Sequence, residues 1–154
     1  MVTTLRPATA ADAAGIGPCH LACWRETYAG LLSPEFLAAR SAERFTANWA
    51  QLLADPATPP VVVAEVDGEV VGFAQTAPSR DTPPARDEEL VSLYLRAARH
   101  GSGLGQDLLD AVLADRPASL WVAEENSRAR RFYERNGFAA DGERAVLEAS
   151  EGLA

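Results

Sequence analysis

Between Glu89 and Leu109 the chain reads ELVSLYLRAARHGSGLGQDLL, a run that few folds can accommodate. Glu89 to Leu95 is rich in apolar and β-favouring side chains and predicts a buried strand. A short basic loop, Arg96 to His100, leads into Gly101, Gly103 and Gly105. Leu104, Leu108, Leu109, Val112 and Leu113 then recur at helical spacing, so a helix starts at the glycines. Strand, glycine loop and helix N-terminus together make a cradle for a phosphate. The glycines let the backbone approach, successive N–H groups point at the anion, and the helix dipole favours negative charge.

Two familiar cradles are excluded. The dinucleotide fingerprint G-x-G-x-x-G is absent, and so is the Gly-Lys-Ser/Thr of nucleoside triphosphatases, because the chain contains no lysine. A nucleotide-binding α/β domain of another kind is correspondingly disfavoured. The formal charge of −8 argues against nucleic acid as a partner and suits a cationic substrate. At 154 residues the chain, read as a single domain over 1–154, can bury a sizeable core without staples. Cys19 and Cys23 lie four apart in one predicted helix and read as small packing residues, with no metal ligand set beside them. No leader and no apolar run of membrane-spanning length stands out, which predicts a cytoplasmic protein without membrane contact.

Around the central run, Thr3 to Arg6 predicts a first strand ended by Pro7. Thr9 and Asp12 resemble a capping box and open a helix from Ala10 to about Tyr28. Ser33-Pro34 and Ser41 start two further helices. Pro60 to Val66 and Glu69 to Thr76 predict two strands, joined by an Asp67-Gly68 hairpin turn. Ala77 to Glu88 carries three prolines and predicts a loop beside the central strand. Ala118 to Ala123 predicts a second buried strand, and Ser127 to about Gly137 a helix. Gly142 to Glu148 predicts one more strand.

The order H-G-S-G-L-G after a strand ending L-Y-L resembles the acetyl-CoA signature of the GNAT superfamily of N-acetyltransferases, Q/R-x-x-G-x-G/A. Gly103 and Gly105 match it, while His100 stands where Gln or Arg is usual. The run E-E-N-S-R-A-R-R-F-Y-E-R-N-G-F, Glu124 to Phe138, resembles the second conserved block of the same family. W-R-E-T-Y-A-G-L-L-S-P, Trp24 to Pro34, is similar to its N-terminal helices.

That resemblance implies an α/β (α+β) fold, with a mostly antiparallel mixed sheet of about six to seven strands flanked by about four to five helices. A final returning strand is missing, so a neighbouring copy in a homodimer supplies it or the edge stays open. The implied function is transfer of an acetyl group from acetyl-CoA to a primary amine of a small molecule or peptide. The alternative is a CoA-binding module without turnover. The loop His100, Gly101, Ser102, Gly103, Leu104, Gly105 and Gln106 is implied to hold the pyrophosphate. Asn126 would bond the pantetheine and Arg131 an outer phosphate. A backbone N–H of Tyr94 or Leu95 would polarise the thioester carbonyl, with pantetheine lying along the strand. Tyr133 is implied as general acid and Glu89 as base, with Trp24 and Tyr28 walling the acceptor pocket.

Overall fold

The computed structural model describes residues 1–145. Four strands, β1 (Thr3–Pro7), β2 (Val61–Val66), β3 (Glu69–Pro78) and β4 (Glu88–Leu95), form an antiparallel sheet in chain order. Asp67 and Gly68, both at positive φ, close the β2–β3 hairpin as the Asp-Gly pair predicts. Five helices cover the sheet: α1 (Ala13–Tyr28), α2 (Pro34–Ala38), α3 (Ala42–Ala54), α4 (Leu104–Leu113) and α5 (Ser127–Arg135).

The sheet separates two cores. On one face, Ala64, Ala74, Leu90 and the α4 side chains Leu104, Leu108, Leu109, Val112 and Leu113 pack together. On the other, Ile16, Cys19 and Cys23 of α1 and Trp49 of α3 cover Val61, Val63 and Phe73. Leu21, Trp24 and Phe45 extend that second layer toward α2. Alternation along the strands produces this division, because successive side chains point to opposite faces.

Four sequence expectations need correction. The predicted helix from Ala10 begins as a single 3-10 turn, Ala10–Asp12, before α1 proper. There Asp12 accepts from the Thr9 N–H at 2.7 Å and from both terminal nitrogens of Arg6 at 2.8 Å. The sheet has four strands among the described residues, not six to seven. Ala118 to Ala123 makes only one bridge, Ser119 beside Glu89 and parallel to it. Beyond that bridge the segment leaves β4, and Trp121 and Val122 are 47% and 36% exposed. The apolar run S-L-W-V therefore marks a half-covered extended segment rather than a buried strand. Of the predicted strand Gly142 to Glu148, residues 142–145 are not extended into a ladder, and 146–148 lie outside the described residues.

Candidate active site

β4 and the segment from Ser119 meet at one end and part at the other. Leu90 N–H donates to Ser119 O at 2.8 Å and Ser119 N–H to Glu88 O at 2.9 Å. No further backbone bond joins them among the described residues. At the far end, Arg96 N–H donates to Val71 O at 2.9 Å. Antiparallel alternation then turns the N–H and C=O of Tyr94 toward β3, and those of Leu93 and Leu95 toward the open edge. Of Tyr94 and Leu95, it is Leu95 whose N–H faces the cleft.

The β4–α4 loop sits at the wide end of that cleft. Gly101 and Gly103 take φ of +81° and +91°, values an L side chain resists. A Cβ on either would meet nothing within 4 Å, so it is backbone shape and not crowding that calls for glycine there. The two left-handed residues turn the loop's amides to one side at the N-terminus of α4. The N–H groups of Gly101, Gly103, Gly105 and Gln106 have no partner among the described residues. Leu104 N–H reaches only the Ser102 hydroxyl at 3.3 Å, and that hydroxyl donates to Arg99 O at 2.6 Å. His100 donates from Nε2 to Leu95 O at 3.0 Å, pinning the loop to the open edge of β4. Free amides beside an open strand edge fit a pyrophosphate joined to an amide-bearing arm.

Helix α5 closes the other side. Asn126 Oδ1 accepts from Ala129 N–H at 3.1 Å, so this oxygen caps the helix. Gln106 donates to Asn136 Oδ1 at 2.8 Å and to Asp110 Oδ1 at 2.9 Å, which ties the first turn of α4 to the end of α5. Phe132 lies against Gly105. Tyr133 packs edge-on against Phe132 and Phe138, with ring centroids 5.3 and 5.6 Å away. Its hydroxyl has no hydrogen-bond partner among the described residues. Burial, with Tyr28 nearby, pushes its pKa up to about 12, so the phenol keeps its proton at neutral pH. Arg131 is exposed and forms no ion pair among the described residues.

Tyr28, at the end of α1, neighbours both Tyr94 and Tyr133. Trp24 is fully buried and packs edge-on against Tyr28 at 5.0 Å between centroids, so it presents no surface to the cleft. Tyr94 stacks on Phe73 and His20, and burial first, then Tyr28, raises its phenol well above the ordinary range.

Glu89 is 1% exposed. Arg80 meets it from the β3–β4 loop, with Nη2 at 2.7 Å from Oε2 and the Arg80 N–H at 3.1 Å from Oε1. Burial alone would raise the carboxyl's pKa, but the hydrogen bonds from the Arg80 side chain and backbone outweigh it and hold it below the usual range. A bulge decides which way Glu89 points. The β3–β4 register slips between Gln75 and Thr76, so Val91 is an extra residue on β4. Tyr94, Ser92 and Glu89 consequently occupy successive rungs of the α1 face, opposite Phe73, Gln75 and Ala77. Without the inserted residue, strict alternation would send Glu89 to the α4 face.

Two residues beside the site, Glu26 and Trp121, carry little signal of these contacts in the sequence. Glu26 of α1 accepts from Ala97 N–H at 3.1 Å and from Arg96 Nε at 3.2 Å, joining α1 to the glycine loop. Trp121 donates from Nε1 to Asp81 Oδ1 at 2.9 Å and fastens the β3–β4 loop over the cleft's narrow end. These partners lie 70 and 40 residues apart, beyond the reach of periodicity. Only the run W-R-E-T-Y marks Glu26 as belonging to a motif.

Residues 25–138 match the profile described as the Acetyltransferase (GNAT) family. An uncharacterized N-acetyltransferase of Mycobacterium tuberculosis is 35% identical over 73% of this chain and 74% of its own length. An uncharacterized N-acetyltransferase of Bacillus subtilis is 30% identical, covering 81% and 74%. Among solved structures, a PaiA N-acetyltransferase from Thermoplasma acidophilum in complex with coenzyme A superposes with a TM-score of 0.72 at 22% identity, over 92% of this chain and 94% of that one. A GCN5-related N-acetyltransferase from Ralstonia eutropha superposes with a TM-score of 0.68 at 21% identity, covering 97% and 100%.

Proposed function

The chain belongs to the GNAT acetyltransferase family, and on that footing we propose that it transfers an acetyl group from acetyl-CoA to a primary amine of a small molecule or peptide by direct attack. One observation carries the reading. The amides of Gly101, Gly103, Gly105 and Gln106, which have no partner among the described residues, stand at the wide end of a strand edge that Ser119 has left open. The thioester supplies the activated acetyl group. All other steps fall to side chains and amides of this chain.

The glycine-loop amides hold the pyrophosphate at the N-terminus of α4, and Arg131 takes an outer phosphate. Leu93 and Leu95 pair their edge N–H groups with the pantetheine arm and the thioester carbonyl, where the Leu95 amide stabilises charge building on oxygen. Asn126 keeps its Nδ2 for the same arm while Oδ1 caps α5. Tyr133 gives its proton to the departing sulfur, and Glu89, ionised throughout the neutral range, receives the one leaving the nitrogen. Tyr28 walls the acceptor side. Acidic net charge favours a cationic acceptor.

The first prediction follows from the Tyr133 phenol, whose ring is packed but whose hydroxyl has no hydrogen-bond partner among the described residues. Tyr133→Phe keeps the packing and should lower kcat by about 10²-fold or more, with coenzyme A affinity within about twofold of wild type. Thiol release and calorimetric coenzyme A binding measure the two quantities. Parallel losses in both would assign Tyr133 a packing role.

A further inference from the structure

Glu26 puts a negative charge beside a loop whose amides face an anion, an arrangement that opposes binding unless something offsets it. Part of the offset is Arg96, whose Nε lies 3.2 Å from Glu26 Oε1, so the pair is neutral. The pair itself contributes little, because its side chains are 30% and 38% exposed and water screens them. What remains is the bond from Ala97 N–H to Oε1 at 3.1 Å. Burial alone would raise the Glu26 pKa, but the hydrogen bonds from Ala97 and Arg96 outweigh it and hold it below the usual range. The acceptor that Ala97 meets is therefore a carboxylate at neutral pH, and a strong one.

Ala97 is where the glycine loop begins. Arg96 N–H bonds to Val71 O at 2.9 Å and His100 Nε2 to Leu95 O at 3.0 Å, so both of these anchors lie in the sheet. Two points leave the loop able to tilt about the line that joins them. Glu26 reaches in from α1 and supplies a third point outside the sheet. Its hydrogen bonds are the only ones between α1 and the loop among the described residues. From Ala97 the chain is braced step by step. His100 N–H donates to Ala97 O at 3.1 Å, Ser102 N–H to Arg99 O at 3.2 Å, and Leu104 N–H to the Ser102 hydroxyl at 3.3 Å. A tilt set at Ala97 is thus carried to the amides of Gly101, Gly103 and Gly105.

We propose that Glu26 is a positioning residue for the donor, fixing Ala97 from α1 so that the glycine-loop amides meet the pyrophosphate of acetyl-CoA. This deepens the acetyltransferase reading and rests on it. Glu26 acts at the pyrophosphate end of the donor, away from the thioester, so it governs donor affinity and leaves the chemical step alone.

Glu26→Ala and Glu26→Gln separate positioning from charge. The amine panel is spermidine, tyramine and an alanine-initiated peptide, using whichever amine the wild-type protein turns over. Glu26→Ala should raise the calorimetric Kd for coenzyme A and the KM for acetyl-CoA about tenfold each, with kcat within about twofold of wild type. Glu26→Gln keeps an oxygen for Ala97 N–H and removes the charge, so it should bind coenzyme A as tightly as wild type or more tightly. S-acetylpantetheine lacks the pyrophosphate, and its kcat/KM should be the same in all three proteins. Tighter coenzyme A binding by both variants would mean that Glu26 acts only as a repelling charge, and would overturn the proposal. It would also be overturned by wild-type affinity in Glu26→Ala, or by a Glu26→Gln as weak as Glu26→Ala. A loss shared with S-acetylpantetheine, or one that follows a lowered melting temperature, would assign Glu26 a merely structural role. Each of these leaves the acetyltransferase reading intact, whereas a wild-type protein that neither binds coenzyme A nor acetylates any amine would overturn both.

Discussion

His20 shows how far one side chain can be fixed by its surroundings. It lies on α1 among Phe45, Trp49, Phe73 and Tyr94, with ring centroids between 4.7 and 5.9 Å away. Trp49 donates from Nε1 to its Nδ1 at 3.0 Å, so the neutral ring carries its proton on Nε2. Burial drives the imidazole's pKa down to about 4. The sign follows from linkage. Between pH 6.5 and 4 the unfolded chain binds a proton on His20 that the folded chain refuses, so stability is complete above about pH 6.5 and is lost as pH falls toward 4. The full effect is on the order of 3 kcal/mol. The carboxylates held low by their hydrogen-bond partners (Asp12, Glu26, Glu88 and Glu89) lose their contributions only below about pH 4.5, which leaves the window from 6.5 to 5 to His20. Urea unfolding at pH 7.5 and pH 5.2 should show wild type losing stability across that window. His20→Gln, which keeps an acceptor for Trp49, should be less stable at pH 7.5 but nearly flat between the two. A slope shared by both proteins would contradict the burial argument. Helical periodicity cannot mark His20, because its aromatic cage is assembled from three other elements, α3, β3 and β4.

At the scale of elements, α1 and α3 approach to backbone contact at one small residue, Gly17. A Cβ at Gly17 would stand 2.1 Å from Thr46 Oγ1 and 2.7 Å from the Thr46 Cα and N atoms. Backbone cannot step aside as a side chain can, so α3 would have to shift bodily. Gly15, one turn-face away, would meet only the Val70 Cγ2 methyl at 2.9 Å. Gly17→Ala should therefore cost about 1–3 kcal/mol in chemical unfolding, and Gly15→Ala clearly less. Equal losses would mean that helix propensity, not interhelical contact, governs both sites.

The strand–glycine–helix unit, the Asp-Gly hairpin and the start of α2 and α3 were legible from sequence because each rests on local chemistry: alternation, positive φ and a capping serine. Ser33 and Ser41 do cap their helices, accepting from Phe36 N–H at 3.1 Å and Arg44 N–H at 3.2 Å. The strand at Ala118 to Ala123 was misread because apolar content reports burial, whereas a ladder needs a neighbour within reach. The bulge at Val91 was invisible, since one inserted residue leaves the β-favouring composition of Glu89 to Leu95 unchanged.

For the whole molecule, the proposed function rests on a sheet that stays open between β4 and the segment after Ser119. Helix α4 aims its free amides at the wide end, α5 brings Tyr133 alongside, and α1 contributes Tyr28 and, through Glu26, steadies the glycine loop. Across the narrow end, Arg80 and Asp81 bind the β3–β4 loop to Glu89 and Trp121. Among the described residues no helix is long and apolar enough to cross a membrane. The most direct test is to follow thiol release from acetyl-CoA with and without the amine panel, on the same preparation whose coenzyme A binding is measured by calorimetry. Stoichiometric coenzyme A binding with amine-dependent thiol release and an N-acetylated product is the predicted result. Absence of coenzyme A binding, or binding with thiol release that no amine accelerates, would contradict it.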